Sequence, residues 1–211
     1  MRLALLFLVA LQLLAQAPAP TPAPAKATAF ERAVVQEMSD LRVRPKAYAR
    51  HLREMRTWFE GTLWKRPDRV PLRTEEGVAA LDEAIAFLET VTPVGPLRFN
   101  EGLAQAARLH AQDIGPRGSL EHVGADGSRL SARLNRLGTW QGTVAENIGT
   151  LEVDPRQVVI QLLVDDGVPD RGHRHNLFNP ELHVAGAGCA PHRDYRVVTV
   201  IDYANAFVLA R

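Results

Sequence analysis

The sequence has one cysteine, Cys189, in 211 residues, and only three of its 25 basic residues are lysines. A lone cysteine excludes an intrachain disulfide framework and any Cys-rich zinc module. The 25 basic side chains face 24 acidic ones, a formal balance of +1, which lacks the positive excess of a protein that lives on nucleic acid by neutralising phosphates. Several common catalytic signatures are missing: there is no His-Glu-x-x-His, no Gly-x-Ser-x-Gly, no phosphate loop and no dinucleotide fingerprint. Long apolar runs are missing too. The largest, Leu3 to Ala15, has 13 residues and would span only about 20 Å as a helix, short of the roughly 30 Å of a hydrocarbon core.

What is present begins with that run. Met1-Arg2, a short apolar stretch and the small residues Ala15-Gln16-Ala17 fit a secretory signal peptide over residues 1–17, cleaved somewhere between 15 and 27. Residues 18–27 follow as a Pro/Ala linker that cannot form a helix. No cysteine follows the run, so no lipid-anchored N-terminus is expected. These features predict a secreted or periplasmic protein with no membrane span after processing, whose working part is a single domain over residues 28–211.

From Thr28 the pattern becomes helical, with Phe30, Val34, Met38 and Leu41 on one face. Pro45 breaks that run and opens a second helix that is expected to end near Gly61, followed by a basic loop from Trp64 to Arg73. Thr74 is the expected N-cap of a third helix, with Glu75 and Glu76 in its first turn. Asn100 caps a fourth, ending at Gly115. A fifth runs from Ser128 to Leu137, and Asp154-Pro155 starts a sixth. Strand patterns are fewer: 143–148, 184–190 and 196–204, the last two forming a hairpin around Pro191 to Asp194. The fold class is α+β.

The candidate chemistry lies in the C-terminal half. Asp165 and Asp166 end the sixth helix, where the dipole disfavours carboxylates, so something must compensate. Arg171, Arg174 or the loop's own amides would do so; so would a metal or a protonated His173. Glu146 lies in an apolar strand and needs a partner too, since an unpaired buried charge is costly; an arginine, a histidine and a metal are all eligible. His173 and His175 share a side only if their segment is extended. His110 reads as a hydrogen-bonded core histidine, and Cys189 as a small buried thiol rather than a nucleophile. His51, His183 and His192 have no neighbours that suggest a site.

Several segments in order carry a family resemblance. They are Leu97 to Asn100, Leu103 to Asp113, Glu121-His122, Ala145 to Ile148, Gly172 to Pro180, and Gly186 to Gly188. Together they resemble the CAP superfamily (cysteine-rich secretory proteins, antigen 5 and plant pathogenesis-related proteins), and within it the bacterial secreted SCP-like branch. The resemblance implies a three-layer α–β–α sandwich around a small antiparallel sheet. It also implies a cleft lined by two histidines and two acids, which holds divalent cations in some members. Carried over by motif, those residues are His122, Glu146, His173 and a fourth acid near Asp165, with Leu162 where the animal proteins have a Trp.

The expected ligand-binding set is therefore His122, Glu146, Asp165 and His173, with His122, Glu146 and His173 as metal ligands for Zn²⁺ or a similar divalent cation. No other cofactor is expected. The favoured function is a secreted binding protein that takes a cation or a small molecule, lipid included, without turning it over; an envelope or extracellular partner is the further possibility. The alternative is a metal-dependent hydrolase or peptidase with Glu146 as general base and His173 beside it. A third reading makes the polar cluster a purely structural hydrogen-bond network.

Overall fold

A computed structural model describes residues 26–67 and 69–210. The expected leader and nearly all of the Pro/Ala linker lie outside the described residues. Helix α1 (Ala29–Val43) starts with a capping box, Thr28 accepting from the Glu31 amide while the Glu31 carboxylate accepts from the Thr28 amide. Helix α2 (Pro45–Arg56) has proline in its first turn. It stops earlier than the spacing predicts. The chain then folds into three two-residue strands, β1 (Phe59–Glu60), β2 (Leu63–Trp64) and β3 (Leu72–Arg73), with Gly61 at φ 59° in the first turn.

The third helix, α3 (Val78–Thr90), also departs from expectation. Thr74 does not cap it; its hydroxyl donates to the Thr62 carbonyl and so closes the small sheet. The carboxylate of Asp166 instead accepts from the amides of Glu75 and Glu76 at 2.7 and 2.8 Å. A distant anion thus holds the turn before the helix, whose own N-cap, Gly77, has no side-chain cap bond.

Strand β4 (Arg98–Phe99) leads into α4 (Glu101–Arg117), capped by Asn100 as the sequence predicts. The helix runs past Gly115 and ends at Gly118, which is left-handed. Gly115 serves packing instead, since a Cβ there would lie 2.2 Å from the Pro191 carbonyl oxygen. The remaining elements are α5 (Leu130–Asn135), β5 (Gly138–Thr150), α6 (Pro155–Val164), α7 (Gly172–Leu177), β6 (Val184–His192) and β7 (Arg196–Leu209). Asp154 caps α6.

The main sheet has the order β4-β6-β7-β5; its three long strands are antiparallel and only the short β4 pairs in parallel. Alternation along β7 divides the core in two. Val198, Val200 and Ala204 pack under α4, while Ile201 and Tyr203 face α1, α3 and α6. Helices therefore cover both faces, and the fold is the expected α–β–α sandwich. The α4 face is built on backbone contact. A Cβ on Gly186 would come within 2.0 Å of the Ala104 nitrogen, and one on Gly188 within 2.1 Å of the Arg108 nitrogen. No side chain could yield there, because the obstacle is helix backbone.

Gly188→Ala is therefore expected to push α4 off the sheet and cost about 2–4 kcal/mol, at or above the usual range for overpacking. Urea denaturation followed by circular dichroism would measure it.

Candidate functional site

Glu146 and Asn147 are consecutive on β5 and project to opposite sides of the strand. Glu146 faces the α4 side, where its side chain is 3% exposed. Its Oε1 accepts from His122 Nδ1 at 2.8 Å, and its Oε2 accepts from Arg133 on α5. The same guanidinium donates to the carbonyls of His122 and Ser128, so it fixes the loop that carries His122. His110 stands behind, its Nε2 3.8 Å from Glu146 Oε1 and 3.1 Å from the Glu121 carbonyl. It is the core histidine that its helix position suggests.

Asn147 serves the other face. Its amide donates to the His173 carbonyl and the Tyr203 hydroxyl, and its oxygen accepts from Asn176. These bonds dock α7 against β5. Because residues 172–177 are helical, His173 and His175 diverge, and His175 lies exposed. Asp165 ends α6 in a left-handed conformation, φ 58°. From there its carboxylate accepts from the His173 amide at 2.9 Å and from His173 Nδ1 at 2.6 Å. The two aspartates thus separate in role: Asp165 holds His173, and Asp166 holds the turn before α3. Arg171 and Arg174, the other eligible partners, pair with Glu83, and Arg171 with Glu76 as well.

The four expected residues therefore form two pairs, His122–Glu146 and His173–Asp165. In each the carboxylate takes the Nδ1 proton, which leaves Nε2 with its lone pair in the neutral ring. His173 and Asp165 line a cavity of about 230 Å³, together with Leu120 from the loop that bears His122. His122 itself is about half exposed, and Glu146 is sealed behind it.

This arrangement bears on the expected metal set. Both oxygens of Glu146 are engaged, by an imidazole and a guanidinium. Among the described residues no group of three or more His, Cys, Asp or Glu side chains is placed to hold one ion.

Two residues escaped the sequence reading. Arg133 is one of many arginines and nothing local singles it out. Asp202 had a signal, a lone acid inside the apolar run Val197 to Ala204. It is fully buried directly across the ladder from Glu146, close enough for the two carboxyls to share a hydrogen bond when Asp202 is protonated, and its oxygens have no other partner among the described residues. Burial first, and then the charge of Glu146, push its carboxyl well above the ordinary range. Glu146 moves the other way: burial would raise it, but the His122 hydrogen bond and the Arg133 charge together outweigh burial and hold it low. Cys189 is inert. Burial raises its thiol to about 11, and its sulfur rests 3.3 Å from the Thr199 hydroxyl.

A family model described as the Cysteine-rich secretory protein family, CAP, matches residues 90–203. No curated protein gives a significant match. Among solved structures, the chain is similar to an extracellular protein containing an SCP domain from Bacillus anthracis. Identity is 21%, coverage 57% of this chain and 37% of that one, and the TM-score 0.42. It is also similar to an outer surface protein from Borrelia burgdorferi, at 15% identity with 60% and 89% covered and a TM-score of 0.45. BmVAL-1 matches at 12% identity over 89% of this chain and 82% of its own, with a TM-score of 0.40. The match spans little more than a third of the Bacillus protein's length.

Two outcomes are expected of the buried charges. Arg133→Met leaves Glu146 without its cation and should cost about 3–5 kcal/mol at neutral pH, the usual loss when one partner of a buried pair is removed. Asp202→Asn should have the opposite sign. A carboxyl whose folded pKa is raised contributes stability below its unfolded value near 3.8, and loses it as pH climbs toward the folded value. The asparagine variant should therefore match the parent near pH 3.5 and exceed it by on the order of 1 kcal/mol at pH 8, in a series of urea melts across that range.

Proposed function

The chain belongs to the Cysteine-rich secretory protein (CAP) family, and from that membership we propose an exported binding protein whose cleft holds a small molecule without turning it over. Residues 28–211 form its working domain, behind a leader over residues 1–17 that directs it to the periplasm or the exterior. No helix among the described residues is long and apolar enough to cross a membrane.

One observation carries the reading: His173, with its Nδ1 held by the buried Asp165, borders an apolar cavity and keeps Nε2 free of any partner among the described residues. A ring fixed in one tautomer by a buried carboxylate is an oriented acceptor. It can receive a hydrogen bond from a ligand donor, and its orientation costs nothing at the moment of binding. Leu162, Val164, Ile148 and Ile160 supply the apolar contact below it, in the usual proportion of a binding pocket: many apolar walls and few placed polar groups. Lipids fall within this chemistry by one end.

Hydrolysis has less support. A general base must reach the water that it activates, and both oxygens of Glu146 are committed. A second reading, a divalent cation on the imidazole Nε2 atoms, has the open lone pairs in its favour and no third protein ligand among the described residues to complete the set.

His173→Ala should abolish ligand binding while leaving the melting temperature within a few degrees of the parent. Mass spectrometry of the protein purified from its exported fraction, parent against variant, reads this directly: a small molecule carried by the parent and missing from the variant. Titration of both with Zn²⁺ separates the cation reading, since tight binding lost in both His122→Ala and His173→Ala would favour it. A molecule released chemically changed would overturn the proposal.

A further inference from the structure

The walls of the cavity beside His173 come from two parts of the chain. The family-matched segment supplies the end of β5, α6 and the Asp165–His173 corner. The opposite wall is Met55, Phe59, Trp64 and Leu72, all ahead of residue 90 and three of them on the small β1-β2-β3 sheet. That sheet is held in place beside the cavity: Thr74 closes it onto Thr62, and Asp166 and Gly167 clamp the turn that follows. Trp64 is 7% exposed, stacks on Phe59 with centroids 6.0 Å apart and planes 10° apart, and carries the Arg66 guanidinium on its ring at 4.1 Å. The wall is therefore a rigid aromatic surface rather than a loose loop.

The volume narrows what this space takes. An apolar cavity of about 150 Å³ accepts benzene, and pockets for drug-sized ligands start near about 300 Å³. At about 230 Å³ the cavity matches one ring or two fused rings. It is too small for a whole sterol or a full long acyl chain.

The polar complement narrows it further. The polar atom offered to this space without a partner among the described residues is His173 Nε2, an acceptor. A hydroxyl or a ring N–H can satisfy it. An acidic group would meet Arg73 at the rim, which has no carboxylate partner among the described residues, whereas a cationic head would meet only carboxylates already engaged, Glu152 by Arg66 and Asp165 by His173.

We propose that the ligand of this cleft is a small aromatic molecule of one or two rings bearing a hydroxyl or ring N–H, and that the Phe59–Trp64–Leu72 wall selects it. The proposal rests on the binding reading above and specifies its ligand. The mature chain would be titrated by calorimetry with phenol, indole and, in parallel, palmitate. Saturable one-site binding of a ring probe is expected. Affinity should fall at least about fivefold in Trp64→Leu, which removes the aromatic ring, and in Leu72→Ala, which strips apolar contact from the same wall. Circular dichroism melts confirm that both variants are folded. Ring probes that bind parent and variants equally would overturn the assignment of the wall. Palmitate binding without ring binding, lost in His173→Ala, would overturn the aromatic specificity and leave the binding reading standing. No binding of any probe, with no co-purifying molecule, would overturn both.

Discussion

Glu146 carries a negative charge almost entirely out of water, in the middle of a sheet, and most of the site follows from how that charge is compensated. An isolated carboxylate there would take up a proton or unfold its surroundings. Arg133 keeps it ionised, and in doing so ties α5 and the 122–128 loop to β5 through one guanidinium. The arrangement has a cost on the neighbouring strand. One cation cannot neutralise two carboxylates, so burial and the Glu146 charge push the Asp202 carboxyl well above the ordinary range. The His122 ring is thus oriented from beneath by a group that is itself fixed by the core, which is why its Nδ1 contact sits at 2.8 Å although the ring is half exposed.

The second histidine reaches the same state by a different route. Asp165 adopts a left-handed backbone at the end of α6, a conformation that costs a non-glycine residue on the order of 1 kcal/mol. The carboxylate also stands at the unfavourable end of the helix dipole. Two short hydrogen bonds from His173, one from its amide and one from its ring, offset both terms. Asp166 solves the same dipole problem differently, by reaching the amides before α3. The two aspartates look equivalent in the sequence and do different work because the turn between α6 and α7 sends them in different directions.

How far the sequence could be read depended on the range of each determinant. Helix starts set by a residue's own neighbours, Thr28, Asn100 and Asp154, were legible because an N-cap bonds within three residues. The Thr74 cap was not. Its hydroxyl had a nearer carbonyl at Thr62, and the amides that it would have served went to an aspartate some ninety residues away. The three short strands before α3 carry too few residues for any period to show. Gly115 reads as a helix stop but is dictated by the approach of β6. For the site, the motif residues were visible, but their pairing was not: two dyads replaced the single expected cluster, and Arg133 and Asp202, which decide the charge balance, belong to no local pattern.

The lone cysteine predicts a fold held by core packing alone, and here the structure adds a polar tie. Arg42 on α1 is fully buried and has no carboxylate partner among the described residues. Its guanidinium donates instead to the carbonyls of Gly95, Leu177, Asn179 and Leu182. Those four acceptors lie where the chain enters β4, where it leaves α7, and in the turn that leads into β6. Guanidinium suits this task because its five donors fan out in one plane and its positive charge is spread thinly enough to be buried. A disulfide would join two points of the chain; this side chain joins four, by bonds that exist only when all four segments are in place. It constrains the folded state rather than the unfolded one, so it adds cooperativity without shortening any loop. The position of α7, and with it the orientation of His173, is therefore set from both ends: by Asn147 on the sheet side and by Arg42 on the helical side.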